Sequence, residues 1–246
     1  MSESNMRGSS VLARAIGTWH IASVSWGKDS LAMLLKLIDL GRPLDEVVFF
    51  DTGMEFQAIY DTRDRVVPLL RRKGIHYTEL RPRHPMWWSM FCRPVRKRGT
   101  GEVHKHGYGW CGGVCRWGTT EKQRELDSYA EAVGAIVYVG IAADETGRLE
   151  KEVKPYKRHP LAEWGMTEAD CLAYCYDKGF SWTEDDVPLY DVLDRVSCWC
   201  CRNKNLKELR AIHDYLPDYW ERLVAMEEVL GPMKKGKTLP EIGEPC

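Results

Sequence analysis

A glycine, a lysine and serines stand together in the segment SVSWGKDS, residues 23–30 of this 246-residue chain. The overlapping run WHIASVS (19–25) is short and apolar, which predicts a buried strand, and the segment that follows, as far as Leu40, carries leucines at helical spacing. A glycine at such a junction lets backbone N–H groups approach an anion, and the helix offers the positive end of its dipole. Lys28 would add a charge and Ser30 a hydroxyl donor. The pattern predicts a phosphate-binding loop, with a solvated turn as the alternative for so short a motif.

Two further strands and a second helix follow this loop. EVVFFD (46–51) and HYTEL (76–80) are predicted strands, separated by a predicted helix from Glu55 to Arg72. Strand, helix, strand, helix and strand in this order indicate a doubly wound α/β fold with a mostly parallel sheet. Ligands of such sheets lie at the carboxyl ends of the strands, where the residues Asp51-Thr52-Gly53 also stand. Two strand ends therefore indicate one binding crevice.

The cysteines indicate a metal or redox site. Nine cysteines are unusual for a chain expected in a reducing cytoplasm, where disulfides rarely persist. Two pairs have chelating spacing, and they are Cys111 with Cys115 and Cys198 with Cys201. Four thiolates suit zinc or a 4Fe–4S cluster, and spacing does not choose between them. Cys200 is either a substitute ligand or a persulfide carrier. The alternative is that cysteines are small buried hydrophobes, as we expect for Cys171 and Cys175.

A basic, aromatic segment leads into the first cysteine pair. A short helix is predicted at 85–92 and an exposed loop after it, and residues 93–106 carry five lysine or arginine residues against one glutamate. Cations with interleaved aromatic rings can follow a nucleic-acid backbone or hold a small anionic substrate, whereas the alternative is a solvated loop. The candidate substrate-binding residues are Arg93, Arg96, Lys97, Arg98 and Arg116.

The rest of the chain completes the predicted organisation. Helices are expected at 120–133, at 166–179 with Thr167 as N-cap, and at 205–230 with a break near Pro217; a strand is expected at 135–141 and an irregular tail beyond Gly231. We expect a disordered segment at 1–15, a nucleotide-binding domain with the cysteine cluster at 16–202, and a small helical extension at 203–246. The net charge of -1 gives no global attraction to nucleic acid or membranes, and no apolar run approaches the ~20 residues of a membrane span. A soluble cytoplasmic protein, as a homodimer, is the expectation.

Five segments in order resemble the phosphoadenosine phosphosulfate (PAPS) reductase family of the PP-loop superfamily. They are SWGKDS, FFDTGMEFQAIYD, GIAADETGR, HPLAEW and VPLYDVLDRVSCWCC, and the resemblance covers about residues 20–202. It implies an adenine nucleotide α-hydrolase-like fold that binds ATP, with Mg²⁺. It also implies a 4Fe–4S cluster, as in the sulfur-inserting members such as the tRNA thiolases and the DNA phosphorothioation enzyme. The nucleotide-binding residues that it implies are Ser23, Ser25, Trp26, Gly27, Lys28, Asp29, Ser30, Asp51, Thr52, Gly53, Gly140, Asp144, Glu145 and Arg148.

Departures from the family pattern decide between its activities. The assimilatory reductases carry their catalytic cysteine in a Glu-Cys-Gly tail, whereas this chain ends with Gly-Glu-Pro-Cys246. Ala142 replaces an arginine, for which Arg148 is a substitute, and the loop keeps the lysine-aspartate pair of ATP-cleaving members. We therefore expect an enzyme that cleaves ATP to AMP and pyrophosphate, adenylates a substrate and transfers sulfur, with Lys28, Asp29 and Cys200 as catalytic residues and a sulfur or electron donor protein as partner. The alternatives are a PAPS or adenylylsulfate reductase that releases sulfite, an ATP sulfurylase-like subunit, and a non-catalytic nucleotide- or cluster-binding module.

Overall fold

The strands of the described residues form one parallel sheet and two short ribbons. The computed structural model describes residues 18–151 and 154–244, so that the predicted disordered segment 1–15 and Cys246 lie outside the described residues. The strands are β1 His20–Val24, β2 Glu46–Phe50, β3 His76–Leu80, β4 Pro94–Arg96, β5 Val103–His106, β6 Ile136–Val139, β7 Lys157–Arg158, β8 Thr183–Glu184 and β9 Val187–Pro188.

Eleven helices are present in the described ranges. They are α1 Lys28–Asp39, α2 Gln57–Arg72, α3 Met86–Phe91, α4 Lys122–Val133, α5 Thr146–Leu149, α6 Pro160–Glu163, α7 Glu168–Asp177, α8 Leu189–Val192, α9 Leu206–Tyr215, α10 Pro217–Leu230 and α11 Leu239–Gly243, with a π-helical turn at Arg116–Glu121 before α4. No helix of these ranges combines the length and the apolar character that a bilayer-spanning segment needs.

The central sheet confirms the predicted doubly wound α/β class. Its strand order is β3-β2-β1-β6-β7, and every neighbouring pair is parallel. After β1 the chain passes to β2 on one side, whereas β6 pairs with β1 on the other side. The sheet therefore has its topological switch point between β1 and β6, which is where ligands of such folds bind. The strand β2 is buried along its whole length, as expected for a central strand between two helical layers.

The chain divides into two compact units whose segments alternate along the sequence. Within the described residues, the first contains the central sheet and comprises residues 18–50, Ile59–Leu80, 123–151 and 154–181; the second comprises Asp51–Ala58, Arg81–Lys122 and residues 182–244. The cysteine segments and the carboxyl-terminal helices belong to the second unit, and the predicted boundary at 202/203 stays a prediction.

Helix α1 shows how the local sequence sets an element. Its leucines Leu31, Leu34 and Leu37 are buried, because helical spacing brings them to one face. At its end the N–H of Gly41 bonds the carbonyl of Ile38 and the N–H of Arg42 bonds that of Leu37. This is a Schellman motif, and Gly41 takes the left-handed φ of 58° that it requires. The predicted stop at Gly41 is confirmed.

Two segments differ from the expectation. The predicted exposed loop at 93–106 is an antiparallel hairpin of β4 and β5, and the predicted irregular tail contains α11. The sequence shows no alternation of apolar and polar residues in the hairpin, because all four residues of β5 are exposed and the strand has no apolar face. The helix α11 is only five residues long and begins with a capping box, in which Thr238 and Glu241 bond each other's backbone N–H groups.

Candidate functional site

The loop after β1 is closed by the Ser30 hydroxyl. This group accepts a hydrogen bond from the backbone N–H of Ser25 (3.1 Å) and donates one to the carbonyl of Gly27 (3.1 Å). Gly27 is the N-cap of α1 and supplies no side chain to it, so the first N–H groups of the helix are not capped by that residue. The loop thus curls over the positive end of a twelve-residue helix, which is a geometry suited to phosphate.

Lys28 is buried at the start of α1 between two carboxylates. Lys28 is only 8% exposed, and its Nζ lies 2.8 Å from Asp29 Oδ1 and 2.6 Å from Glu168 Oε2. Burial alone lowers the pKa of Lys28, but the hydrogen bonds to Asp29 and Glu168 outweigh it, and the net shift of the pKa is upward. Lys28 is therefore a fixed positive charge beside the loop.

The carboxylates around Lys28 exceed it in charge. Burial raises the pKa of Asp29, Lys28 opposes this rise, and repulsion from Glu168 and Glu145 adds to it. Glu168 is the first residue of α7 and was missed by sequence reasoning. The predicted N-cap at Thr167 is confirmed, and it places an acid in the first turn of α7, but nothing in the sequence shows that α7 packs beside α1.

The loop after β6 lies against the loop after β1. A Cβ on Gly140 would stand 2.9 Å from Ser30 Cα and 3.0 Å from Ser30 N, so only glycine permits this approach. Asp144 Oδ1 accepts a hydrogen bond from the N–H of Glu168 at 3.0 Å. The switch point between β1 and β6 therefore brings together the predicted residues of both loops.

Glu145 and Arg148 form an ion pair beside this loop. Glu145 Oε1 accepts from the N–H of Ala142 (3.2 Å), and its Oε2 lies 2.6 Å from Nη1 of the exposed Arg148. Arg148 therefore carries a carboxylate partner where the family's arginine would face an anion. Its predicted role as the substitute for that arginine stays a prediction.

Trp26 belongs to the core under the loop. Its ring is 0% exposed and packs against Phe49 and Tyr77, with centroid distances of 6.2 and 5.9 Å. Its φ is 62°, a left-handed conformation that a bulky residue rarely adopts. The large apolar ring of Trp26 is therefore buried with the sheet, and the predicted place of this residue among the nucleotide-binding residues stays a prediction.

In the second unit, the residues after β2 form a tight turn. Gly53 donates its N–H to Asp51 Oδ1 at 2.8 Å and has a φ of 73°. Asp51 is buried, and its other carboxylate oxygen lies 3.8 Å from Nε of Arg81. Thr52 donates its hydroxyl to Glu55 Oε1 at 2.9 Å. Asp51 is thus held as an oriented carboxylate at a strand end.

Two of the predicted cysteine ligands accept backbone hydrogen bonds. The N–H of Arg116 points to Cys111 Sγ (3.2 Å) and the N–H of Gly118 to Cys115 Sγ (3.3 Å). Burial raises the pKa of Cys115, backbone hydrogen bonds from Gly118 and Trp117 lower it, and the charges of Cys111 and Cys201 raise it. Sulfurs from both pairs therefore lie within electrostatic reach of one another, with donors already aimed at two of them.

The remaining cysteines of this unit are more enclosed. Cys198 Sγ lies 3.5 Å from both Thr52 Oγ1 and Glu55 Oε1, and burial raises its pKa well above the ordinary value. Cys200 is 2% exposed, and burial raises its pKa as well. Within residues 18–151 and 154–244, no three His, Cys, Asp or Glu side chains stand close enough to hold one metal ion.

Comparison with known protein families identifies the family of this chain. Residues 20–201 match the model of the phosphoadenosine phosphosulfate reductase domain. The chain belongs to the PAPS reductase family. It carries the nucleotide-binding PP-loop fold of that family, whose members are typically enzymes.

One relative of this PAPS reductase family chain is a protein of Methanocaldococcus jannaschii. It is named Uncharacterized protein MJ0066, and it is 27% identical over 220 residues, which cover 82% of this chain and 40% of the relative. The chain thus spans about two fifths of the length of that relative. This likeness does not indicate which reaction this chain catalyses.

Two lysines near the cysteines were also missed by sequence reasoning. Lys204 is 3% exposed, lies 5.2 Å from the centroid of the Phe56 ring and donates to the carbonyl of Arg195 at 3.3 Å. Burial lowers the pKa of Lys204, while the nearby cysteines Cys201, Cys198 and Cys200 raise it. Lys234 donates to the carbonyls of Arg202 and Lys204. Nothing in the sequence distinguishes these two lysines from the others.

The base of the basic hairpin is tied to the first cysteine pair within the second unit. The Tyr108 ring has the guanidinium carbons of Arg116 and Arg93 at 4.0 and 5.6 Å from its centroid. Arg96 donates to the carbonyl of Gly101 within the hairpin. Arg116 follows Cys115 directly, so this stack connects the hairpin to the cysteine turn.

Cys171 and Cys175 are both fully buried on α7 in the first unit. Burial raises the pKa of each to about 12. This is the environment of a small apolar residue, as expected for both.

Proposed function

We propose that this PAPS reductase family member binds Mg·ATP, cleaves it to AMP and pyrophosphate, and uses the adenylate for iron–sulfur-dependent sulfur transfer. The observation that carries the proposal is the position of Lys28 between Asp29 and Glu168 at the loop after β1. A fixed ammonium suits the pyrophosphate group, and clustered carboxylates suit Mg²⁺. A sulfonucleotide reductase does not need the metal.

The first step forms a bond between an acceptor oxygen and the α-phosphorus of ATP. The α–β bridging oxygen leaves with pyrophosphate, and the charge that develops on it is stabilised by Lys28 and by the N–H groups at the start of α1. Asp29 is the carboxylate of this loop that would contact Mg²⁺, and the phosphate oxygens of ATP and water would complete the coordination. In the second step a sulfur nucleophile from a donor displaces AMP from the acceptor.

We propose that the cysteine set holds a 4Fe–4S cluster, with zinc as the alternative metal for the same thiolates. The expected ligands are Cys111, Cys115, Cys198 and Cys201. When bound, the cluster would supply electrons or hold sulfur. The backbone donors of Arg116 and Gly118 would stabilise two of its thiolates.

Cys200 is proposed either as a persulfide carrier or as a ligand in place of Cys201. Both roles require the thiolate, whereas burial raises the pKa of Cys200. Loss of sulfur transfer with an intact cluster in Cys200→Ser would favour the carrier, and loss of the cluster would favour the ligand.

The acceptor is proposed to be an anion that the basic hairpin contacts. The exposed residues of β5 and the Arg93–Tyr108–Arg116 stack suit either a nucleic-acid backbone or a small anionic molecule. Retention of a labelled RNA or DNA that weakens steeply with salt would favour nucleic acid. A reductase that releases sulfite from PAPS or adenylylsulfate is the second candidate, favoured by the family match itself.

ATP binding by anaerobically purified protein tests the loop. We expect Lys28→Ala to weaken Mg·ATP binding in calorimetry by about tenfold to a hundredfold, the range for hydrogen bonds to charged groups. The exposed Lys73→Ala serves as the matched control and should bind like the wild type. Equal binding by wild type and Lys28→Ala would contradict the role of the loop. Sulfite release from a sulfonucleotide without ATP would favour the reductase.

A further inference from the structure

We propose that a cleft at the carboxyl end of α1 binds a small organic anion with a flat apolar body. The cleft has a volume of about 320 Å³ and lies within the first unit. Leu37 of α1 contributes to its wall, nine residues after Lys28, which is about 14 Å along the helix axis. The cleft is therefore separate from the phosphate loop at the other end of the same helix.

Arg42 and Arg158 line this cleft. The backbone of Arg42 and the side chain of Arg158 are each held by hydrogen bonds to backbone carbonyls. Arg42 follows the Schellman motif at the end of α1, where its N–H bonds the carbonyl of Leu37. Arg158 of β7 donates from one terminal nitrogen, Nη1, to the carbonyls of Pro155 (2.7 Å) and Lys157 (2.9 Å). These bonds orient the guanidinium plane, which reduces the entropy lost on binding an anion.

The phenol of Tyr138, on β6, also lines the cleft. Tyr138 of β6 pairs in register with Arg158 on β7 and stacks on His20, with centroids 5.9 Å apart. Burial raises the pKa of Tyr138, Arg42 and Arg158 lower it, and Glu163 and Asp45 raise it. The neutral hydroxyl of Tyr138 is therefore near both arginines and can donate to an anion.

The remaining lining is apolar or aromatic. Trp164 stands after α6, with the Lys36 ammonium 5.2 Å from its ring centroid, and the other apolar contacts come from Leu37, Pro43, Ile136 and Pro160. The lining carries two arginines against the single carboxylate of Glu163. The volume is near the lower limit of about 300 Å³ for small-molecule sites, so one aromatic ring with one anionic group is the size that fits. A carboxylate and a phosphate share this chemistry.

Calorimetric titration of the full-length chain with benzoate and with phenyl phosphate tests the proposal. We expect saturable binding of at least one of them, and weaker or no binding of the neutral benzyl alcohol. Arg42→Gln should weaken binding by about tenfold, as expected when a charged hydrogen-bond donor is lost. Arg72→Gln, an exposed arginine in the last turn of α2, is the matched control and should bind like the wild type.

A second variant separates this cleft from the nucleotide site. Lys28→Ala should leave the binding of benzoate and phenyl phosphate unchanged, even where it abolishes the binding of ATP. If Lys28→Ala removes the binding, the anions occupy the phosphate loop and the proposal is wrong. It is also wrong if benzyl alcohol binds as tightly as the anions, if Arg42→Gln binds like the wild type, or if neither anion binds. The proposal does not depend on the reaction, so it can fail while the ATP assignment stands.

Discussion

Replacing Gly140 by alanine tests the close approach of the two loops at the switch point. The added Cβ would stand 2.9 Å from Ser30 Cα, 3.0 Å from Ser30 N and 3.1 Å from the carbonyl carbon of Asp29. Carbon atoms pack best at about 3.5–4.0 Å, so the backbone of one loop must move by roughly 0.6–1.1 Å. Because all three contacts are backbone atoms, no side chain can rotate away. Overpacking of this kind costs about 1–3 kcal/mol.

The variant should lose both stability and nucleotide chemistry. For a chain of this size the destabilisation lowers Tm by about 2–12 °C, measured by calorimetry. A displacement of about 1 Å beside the reacting phosphate lowers turnover by about a hundredfold.

Gly147→Ala is the matched control. It lies in α5, where a Cβ would meet nothing within 4 Å, so alanine should not lower the stability and should raise it by up to about 1 kcal/mol, because glycine is the weaker helix former. A Gly140→Ala variant with wild-type Tm and ATP binding would refute the described contact between the loops.

Three further outcomes are expected. Trp26→Ala should lower the free energy of unfolding by about 3–5 kcal/mol in urea denaturation, because it removes a fully buried ring, and a loss below about 1 kcal/mol would contradict its place in the core. Asp127→Asn should cost about 1 kcal/mol at neutral pH, since Lys157 Nζ lies 2.6 Å from the carboxylate. Burial raises the pKa of Asp127, but Lys157 and Lys154 outweigh burial, and the net shift of the pKa is downward from 3.8. The stabilisation is therefore present above pH 3.8, and the difference in stability between wild type and variant should disappear as the pH falls below that value. Cys111→Ser should abolish the visible absorption that bleaches with dithionite, whereas Cys171→Ser should retain it; colourless wild-type protein containing zinc would contradict the cluster.

The sheet and its helices could be predicted because their signals are local. Apolar runs marked β1 and β2 closely, β3 follows the stop at Gly74, and Thr167 marked the start of α7. The predicted helix from Glu55 begins instead at Gln57, because Glu55 is engaged with Thr52 in the preceding turn. The pairing of β4 with β5 could not be predicted, because both strands are largely exposed and their sequences show no periodic apolar pattern.

The candidate site was predictable where residues follow strand ends, and not where it depends on packing. Lys28, Asp29 and Gly140 follow strands, so their neighbourhood could be inferred from topology. Glu168 reaches Lys28 across 140 residues, because α7 packs on α1. The direction of the Trp26 ring depends on a left-handed backbone that the sequence does not reveal. The metal ligands, the donor protein and the homodimer remain predictions.

The identity of the nucleotide product tests the central claim most directly. Anaerobically purified protein is incubated with Mg·ATP and with RNA, DNA or small anionic acceptors, and the nucleotides are separated by chromatography, with Lys28→Ala as the inactive control. AMP and pyrophosphate in equal amounts are expected, because the loop after β1 is proposed to hold the leaving pyrophosphate while the α–β bond breaks. ADP and phosphate as the sole products would contradict it.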